Sequence, residues 1–376
     1  MFSYWEQSTF FTKIDLAIIG SGIVGLNAAI TYKEQHPEAK VIVLERGALP
    51  SGASTKNAGF ACFGSMTELL DDIEQNGAEQ TWKLVEQRWR GLQRLRSRVG
   101  DENLQFEQRG GYELFRAEET DIYEKCLHHV DDFNEKLVEM TGVENVFQVK
   151  NQQIQQFDFQ QIKSLIHNVA EGQIHTGRMM QVLLKIAQNL GIEIYNGFAV
   201  ERLENEKNQV VVFNEKYGNL LAKNVLIATN GFARQLLPEL DVQPARNQVL
   251  ITEPIPNLKV KGTFHYDQGY FYFRNIDNRM LLGGGRQLDK TGEMTTEFGT
   301  TDLIQNALRD LLNDVIFPNQ DVKIAQWWSG ILGVGQEKKS IVRQIEPNIY
   351  AAVRMGGMGI AIGTLIGENA AKMISI

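Results

Sequence analysis

The beginning of the chain alternates short apolar runs with one helix-patterned segment. Residues 15–19 form an apolar run that ends in glycines, residues 23–32 have helical spacing, and residues 40–44 form a β-branched run ending at Glu45. Strand, glycine turn, helix and strand therefore fit within roughly thirty residues. This order predicts one βαβ unit and an α/β fold.

The rest of the chain has a β-rich block between two α/β regions. Helices are predicted at 67–100, 118–141, 177–190 and 301–315, and strands at 110–115, 193–195, 210–213, 225–228 and 349–353. Residues 269–283 alternate aromatic and polar positions around Asp277 and Asn278, which is typical of a β-hairpin. After the last strand come a glycine cluster and a closing helix. This distribution predicts discontinuous domains, one made of residues 1–85, 166–243 and 325–376, and the other of residues 86–165 and 244–324.

The composition is that of a globular protein with an acidic balance. Of 376 residues, 43% are apolar and 22% charged, and the formal net charge is −8. Proteins that bind nucleic acid by neutralising its phosphates usually show a basic surplus on at least one stretch. The single basic cluster, residues 88–98, has Trp89, Leu92 and Leu95 at helical spacing, so it is interpreted as a solvated helix face. We therefore expect no nucleic-acid partner.

Cysteine usage and hydropathy bear on the compartment. The two cysteines, Cys62 and Cys126, make no disulfide framework, which favours a reducing cytoplasm. The first residues carry no basic region or cleavage site of a signal peptide. The most apolar stretches do not reach roughly 18 uninterrupted apolar residues, so stable membrane insertion is not expected.

A glycine motif lies between the first strand and the first helix. Gly20, Gly22 and Gly25 match G-x-G-x-x-G, and Ile23 and Val24 complete it. In such a motif the first glycine makes the turn, the second lets backbone approach a pyrophosphate, and the third lets the helix pack against the strand. The helix N-terminus attracts phosphate, and the Glu45 carboxylate suits ribose hydroxyls. The pattern predicts a dinucleotide site; the alternative is an accidental glycine turn.

A loop rich in small and hydroxyl residues follows the second strand. It runs from Arg46 through Ser54 and Thr55 to Asn57, Ala58 and Gly59. Such a loop is suited to pass close to a second set of phosphates and a flat ring. The alternative is a flexible surface loop.

The run S-G-A-S-x-x-N-x-G after Glu45 and Arg46 is similar to a loop of the D-amino-acid-oxidase-like FAD-dependent oxidoreductases, which include glycine, sarcosine and γ-glutamylputrescine oxidases. Further segments resemble this family in the same order, and the hairpin and Ser3-Tyr4-Trp5 resemble its γ-glutamylputrescine oxidase branch. These further segments are residues 222–231, 244–250, 270–285, 328–330 and 355–359. Asn247 replaces the usual glycine of the second segment.

The resemblance implies a Rossmann-type FAD-binding domain, here the first set of residues given above, and a substrate domain with an antiparallel sheet and helices. It implies non-covalent FAD, since the cysteine that carries the flavin in sarcosine oxidase does not appear at the matching place. The implied cofactor-binding residues are Gly20, Gly22, Ile23, Val24, Gly25, Glu45, Arg46, Ser54, Thr55, Asn57, Ala58, Gly59, Val200, Ala228, Thr229, Gly231, Gly330, Gly356, Gly357, Met358, Gly359 and Ile360.

The reaction implied by the resemblance is oxidation of a C–N bond in a small amine or amino acid. Hydride passes to flavin N5, water hydrolyses the imine, and O2 or another acceptor takes the electrons. No metal is expected, because the six histidines lack ligand spacing. Cys62 follows the loop closely and is a further candidate for approaching the ring.

Substrate recognition is less well defined by the sequence. Tyr270, Tyr272 and Arg274 share one face of the predicted hairpin strand, and two phenols with a guanidinium would suit a carboxylate. The alternative is an aromatic sheet face with a solvated Arg274. Where amino-acid-specific members have a carboxylate-binding arginine after W-x-G, this chain has Leu332 nearby, which indicates an amine, or an acid bound elsewhere.

Three other functions remain open from the sequence. One is an NAD-dependent dehydrogenase, which the absence of a catalytic His or Lys constellation disfavours. The second is a flavoprotein that acts on another substrate class, such as a modified tRNA base or a hydroxy acid. The third is a flavin-binding protein with little turnover.

Overall fold

The computed structural model describes residues 3–375, and two large β-sheets organise it; residues 1, 2 and 376 of the predicted FAD-binding domain lie outside the described residues. The strands are β1 Ile14–Ile19, β2 Val41–Glu45, β3 Phe60–Ala61, β4 Gly111–Arg116, β5 Phe147–Val149, β6 Ile162–Asn168, β7 Gly172–Gln173, β8 Glu193–Asn196, β9 Arg202–Glu206, β10 Gln209–Phe213, β11 Leu220–Ile227, β12 Gln243–Thr252, β13 Thr263–Tyr266, β14 Phe271–Ile276, β15 Arg279–Gly284, β16 Ile324–Val334, β17 Ile341–Glu346 and β18 Ile349–Val353. The α-helices are α1 Ile23–Gln35, α2 Met66–Asn76, α3 Ala78–Val99, α4 Asp101–Leu104, α5 Thr120–Thr141, α6 Ile154–Phe157, α7 Thr176–Asn189, α8 Asp302–Asp310 and α9 Gly359–Met373.

The first sheet has the order β17-β18-β11-β1-β2-β8, with β10 and β9 continuing from β11. Strand β1 pairs in parallel with β2 and β11, and β2 with β8. All five residues of β2 are buried, since both faces of this part of the sheet are covered. The predicted βαβ unit is confirmed, and its glycine turn lies at the carboxyl end of β1.

Helices α1, α9 and α3 pack together beside this sheet through close backbone contacts. A side chain at Gly367 of α9 would collide with the backbone of Val24, and one at Gly91 of α3 with the carbonyl of Ala361. The basic cluster on α3 is not simply a solvated face, in contrast to the sequence interpretation. Arg88 is 5% exposed, donates a hydrogen bond to the Phe63 carbonyl and lies 3.8 Å from Asp72.

The second sheet has the order β16-β12-β15-β14-β13-β4-β6-β5. It was predicted to be antiparallel, and it is so except for the parallel pair of β13 and β4. Its core is aromatic, with the rings of Phe264 and Phe273 stacked 4.7 Å apart. The predicted hairpin is confirmed as β14 and β15; Asp277 and Asn278 have φ of 49° and 55° at the turn, as a two-residue hairpin of type I′ requires.

Sheet membership differs from the predicted division at two places. Strand β16 pairs with β12 in the second sheet, although residues 325–376 were assigned to the FAD-binding domain. Residues 166–168 were assigned to that domain as well, yet they are part of β6, which pairs with β4 in the second sheet. In addition, Leu92 and Leu95 of α3 pack in the core of the first sheet, although residues 86–165 were assigned to the substrate domain. These long-range pairings leave no mark on the local sequence pattern.

The part of the chain that the structure describes contains no helix with the length and apolar character needed to cross a membrane. Within the same residues, no group of three or more His, Cys, Asp or Glu side chains is arranged to hold a metal ion.

Candidate active site

A cavity of about 420 Å³ opens at the carboxyl end of β1 and the N-terminus of α1. Gly20 turns the chain there with a φ of 104°, which favours glycine. Gly22 is the N-cap of α1 and offers no capping side chain. The helix therefore begins with backbone N–H groups beside the cavity, an arrangement that attracts phosphate.

Glu45 ends β2 at the wall of this cavity and is 6% exposed. Its carboxylate accepts hydrogen bonds from the Ser21 hydroxyl at 2.6 Å and backbone N–H at 3.2 Å. It also accepts one from the Gly47 N–H at 2.9 Å. These contacts orient a buried anion toward the position where a ribose would lie next to the glycine turn.

The loop that follows β2 is held by its own polar side chains. The Asn57 amide donates to the carbonyls of Ala53 and Ser54, both at 3.0 Å, and its oxygen accepts from the Gly59 N–H at 2.9 Å. The Ser54 hydroxyl accepts from the Ile23 N–H at 3.0 Å, so the loop is also attached to α1. The alternative of a flexible surface loop is therefore wrong.

Most of the predicted cofactor residues surround the first cavity or a second one beside it. Those lining the first are Gly20, Gly22, Ile23, Val24, Glu45, Arg46, Ser54, Asn57, Val200, Ala228, Thr229, Gly357, Gly359 and Ile360. Those that line only the second are Ala58, Gly59, Gly330, Gly356 and Met358.

Three predicted residues line neither cavity. Gly25 lets α1 pack on the turn, since a side chain there would meet the Gly20 carbonyl. Gly231 has the same role against the backbone of Leu332. The Thr55 hydroxyl donates to the Pro50 carbonyl at 2.7 Å, so it stabilises the loop.

The first cavity also contains a residue that the sequence did not single out, Phe232, and it shows further details of the predicted residues Thr229 and Gly22. The Arg46 guanidinium lies over the Phe232 ring, with its central carbon 3.7 Å from the ring centre, and both side chains line the cavity. The Thr229 hydroxyl is buried and has no hydrogen-bond partner in residues 3–375. A Cβ at Gly22 would lie 3.0 Å from the Ser54 hydroxyl, in space that the glycine leaves open. The glycine cradle, the buried Glu45 and the unpartnered Thr229 fit the phosphates and hydroxyls of a dinucleotide such as FAD.

The second cavity, of about 480 Å³, lies between the two sheets and adjoins the first. The two cavities share a wall made by five residues: Ala53, Asn57, Leu332, Gly357 and Ile360. A ligand in the second cavity therefore lies directly next to one end of a ligand in the first.

The structure brings two of the three predicted substrate residues to the second cavity. Tyr270 and Tyr272 line it; Tyr270 is 45% exposed, and burial raises the pKa of Tyr272 to about 12. Arg274 departs from both sequence alternatives, because it is neither solvated nor part of the cavity wall. It is 3% exposed, and its guanidinium donates to the carbonyls of Gly59 and Ile174 at 3.0 and 2.7 Å.

Two carboxamide oxygens in the second cavity wall are unpartnered. Asn247 Oδ1 and Gln287 Oε1 are buried, and neither has a hydrogen-bond partner among the described residues. A buried acceptor without a partner destabilises a protein by about 1–3 kcal/mol, so such groups usually meet a ligand or water. The pair therefore indicates where N–H donors would bind.

Sequence reasoning missed His265, which was grouped with histidines of no assigned role. It lies on β13 with 6% exposure and lines the second cavity, and its Nε2 is 3.0 Å from a carboxylate oxygen of Glu171. The two residues are far apart in sequence, so no spacing signal was available. The position of His265 in an alternating strand next to the aromatic hairpin is the one indication that the sequence offers.

A Rossmann-type cavity joined to a second cavity under a separate sheet is the arrangement of two-domain, dinucleotide-dependent oxidoreductases. The family model described as "FAD dependent oxidoreductase" matches residues 15–373. The chain therefore belongs to this family, it is an FAD-dependent enzyme, and the alternative of an NAD-dependent dehydrogenase is wrong.

Individual relatives and solved structures agree with this family. The chain is 23% identical to the probable oxidoreductase OrdL of Haemophilus influenzae over 96% of this chain and 82% of that protein. It is also 23% identical to a glycine oxidase of Geobacillus kaustophilus over 85% and 81%. The fold resembles L-proline dehydrogenase from P. horikoshii, with a TM-score of 0.75 at 17% identity over 96% of this chain and 93% of that one. It also resembles glycine oxidase from Bacillus cereus, with a TM-score of 0.73 at 18% identity over 96% and 95%.

Proposed function

We propose that this enzyme oxidises a C–N bond in a small amine or amino acid. The observation that carries the proposal is the wall shared by the two cavities, which puts a small ligand next to one end of the dinucleotide. Bound FAD supplies a ring that accepts a hydride at N5. The named substrates of similar proteins support the same class, since these include glycine, L-proline, L-amino acids and iminodiacetate.

The chain contributes position and a restricted environment to this reaction. Leu332 and Ile360 form an apolar part of the shared wall, which limits water beside the reacting carbon. Tyr272 remains a neutral phenol, because burial raises its pKa to about 12. The oxygens of Asn247 and Gln287 are available to accept N–H groups of the substrate. These contacts would hold the substrate in one orientation.

The same geometry supports non-covalent FAD. Cys62 lines the second cavity, and burial raises the pKa of its thiol well above the ordinary value. A protonated thiol is a poor nucleophile. Binding of FAD would then depend on the glycine cradle, Glu45 and the loop around Ser54.

Anaerobic reduction of the bound flavin tests the proposed function directly. We expect at least one member of a panel of primary amines, N-methyl amino acids, L- and D-amino acids and polyamine conjugates to bleach the visible flavin band. Oxygen consumption compared with dye reduction then identifies the acceptor. The proposal fails if dithionite bleaches the holoenzyme and no amine or amino acid does; bleaching by a hydroxy acid instead would reassign the substrate class.

Replacing Asn247 by alanine should separate substrate binding from stability. Among the described residues its buried oxygen has no partner, and its side chain makes a hydrogen bond with Tyr272, so the two effects offset each other and we expect Asn247→Ala to change the melting temperature little. KM for the bleaching substrate should rise about tenfold, which is the loss of one hydrogen bond of roughly 1.4 kcal/mol. Asn306→Ala, at an exposed position of α8, is the matched control. A large fall in stability with unchanged KM would contradict this role.

A further inference from the structure

His265 lies in a row of polar side chains that crosses three strands of the second sheet. It is opposite Tyr272 of β14 on one side and opposite Glu113 of β4 on the other. Residues opposite each other in neighbouring strands project to the same face of the sheet. For His265 and Tyr272 this is the face that lines the second cavity, and Phe60 packs edge-on against both rings at 5.5 Å.

Glu171 fixes the orientation and charge of the His265 ring. This glutamate is 0% exposed, and one carboxylate oxygen receives both His265 Nε2 at 3.0 Å and the Thr263 hydroxyl at 3.1 Å. A carboxylate only accepts, so Nε2 is the donor in this pair. The absence of a side chain at Gly111 provides the space for the carboxylate, because a Cβ there would overlap it.

The second ring nitrogen of His265 remains available. Across residues 3–375, no group forms a hydrogen bond with Nδ1. This atom is also not completely buried, so a ligand in the cavity is able to reach it. Burial lowers the pKa of His265, but the neighbouring carboxylates, Glu171 first, raise it to about 9. At neutral pH the ring therefore has a second N–H, at Nδ1, that is directed at no protein acceptor.

The other charged and titratable groups around this ring are largely engaged. Glu113 accepts hydrogen bonds from the hydroxyls of Ser65 and Thr67, and burial raises its pKa. Glu68 accepts from the Ser65 N–H at 3.0 Å. Three further groups of the cavity wall are neutral or phenolic, namely Cys62, Tyr270 and Tyr272. Arg88, Asp71, Asp72 and Lys338 are paired with one another, and the basic side chains Lys56, Arg286 and Lys290 have no ion-pair partner in the described part of the chain.

From these contacts we infer that His265, held by Glu171, donates a hydrogen bond from Nδ1 to a carboxylate of the substrate. The substrate is then an amino acid rather than a simple amine, and His265 determines this specificity. The inference rests on the proposed function and deepens it. It also explains how an apolar Leu332 in the shared wall is compatible with an acidic substrate, because the anion is bound at β13, which three strands of the same sheet separate from Leu332 on β16.

Calorimetric titration of the holoenzyme with matched carboxylates and amides tests this inference. The probes are benzoate with benzamide and propionate with propionamide, each pair similar in shape and different in charge. At pH 7 we expect the wild type to prefer the carboxylate at least tenfold. His265→Asn should lose this preference and leave amide binding unchanged, whereas His128→Asn, at an exposed position of α5, should behave as the wild type.

The pH dependence separates a binding role from a structural one. Binding requires the imidazolium, which is present below the pKa of about 9 and is lost above it, so the carboxylate preference of the wild type should vanish as the pH rises through about 9. Glu171→Gln removes the anion that raises this pKa, so the loss should move toward the ordinary histidine value of about 6.5. This shift in the wild type and in Glu171→Gln remains measurable even if His265→Asn does not fold.

The outcomes distinguish the inference from the proposed function. Equal or absent binding of both probes to the wild type, or a carboxylate preference that survives in His265→Asn, overturns the inference. If simple amines bleach the flavin and carboxylates do not bind, the proposed function stands and the inference fails. If carboxylates bind through His265 and no amine or amino acid bleaches the flavin, the subsite stands and the C–N chemistry fails.

Discussion

Gly22→Val is expected to yield a folded protein that is purified without its yellow cofactor. Gly22 has a φ of −70° and a ψ of 179°, which a valine also adopts, so the backbone tolerates the change. The new Cβ would lie 3.0 Å from the Ser54 hydroxyl, and its methyl groups would extend into the space in front of the α1 N–H groups. We expect the affinity for FAD to fall about 100-fold, a loss of roughly 2.7 kcal/mol.

Flavin-to-protein absorbance and the quenching of FAD fluorescence on titration measure this effect. Gly177→Val is the matched control: it puts the same side chain in the first turn of α7, where a Cβ meets only the His175 ring, at 3.2 Å and beyond. The control should retain FAD. Wild-type FAD affinity in a folded Gly22→Val protein would show that the glycine motif does not hold the pyrophosphate.

Arg274→Met is expected to lower stability by about 2–4 kcal/mol, the range for leaving buried polar groups without a charged partner. The guanidinium is buried, its pKa is lowered to about 10 by desolvation, and it joins the carbonyls of Gly59 and Ile174. Methionine fills much of the same volume and donates no hydrogen bonds. The loop that contains Gly59 should then detach from β14 at a lower temperature.

Thermal unfolding of the holoenzyme followed by circular dichroism checks this prediction. Arg279→Met is the control, because its guanidinium donates one bond, to the Thr252 carbonyl at 2.8 Å, from a half-buried position. We expect this change to cost less than about 1 kcal/mol. If Arg274→Met melts at the wild-type temperature but no longer binds substrate, then Arg274 binds the substrate and does not mainly stabilise the fold.

The parts of the fold that follow local rules were predictable from the sequence. The glycine turn and its flanking strand and helix were found within a few residues, since Gly20, Gly22 and Gly25 lie between an apolar run and a helix-patterned segment. The hairpin turn was found because Asp277 and Asn278 readily adopt positive φ.

The parts that depend on distant partners were not predictable. Alternation on β14 suggested that Arg274 shares a face with Tyr272, but the loop at Gly59 covers it, and no local pattern records that contact. His265 has a chemical role in the structure only because Glu171 lies beside it, 94 positions earlier in the chain. Likewise, β16 joined the second sheet through pairing with β12, which a boundary drawn from composition does not detect.

The contact between α1 and α9 has a consequence for biosynthesis. A ribosome releases residues 23–35 long before residues 359–373, which form the helix that covers them. Until then Leu26 and Ile30 of the nascent polypeptide lack a permanent neighbour on one side. Chaperones that bind apolar segments are therefore expected to bind α1 until α9 emerges and packs against it.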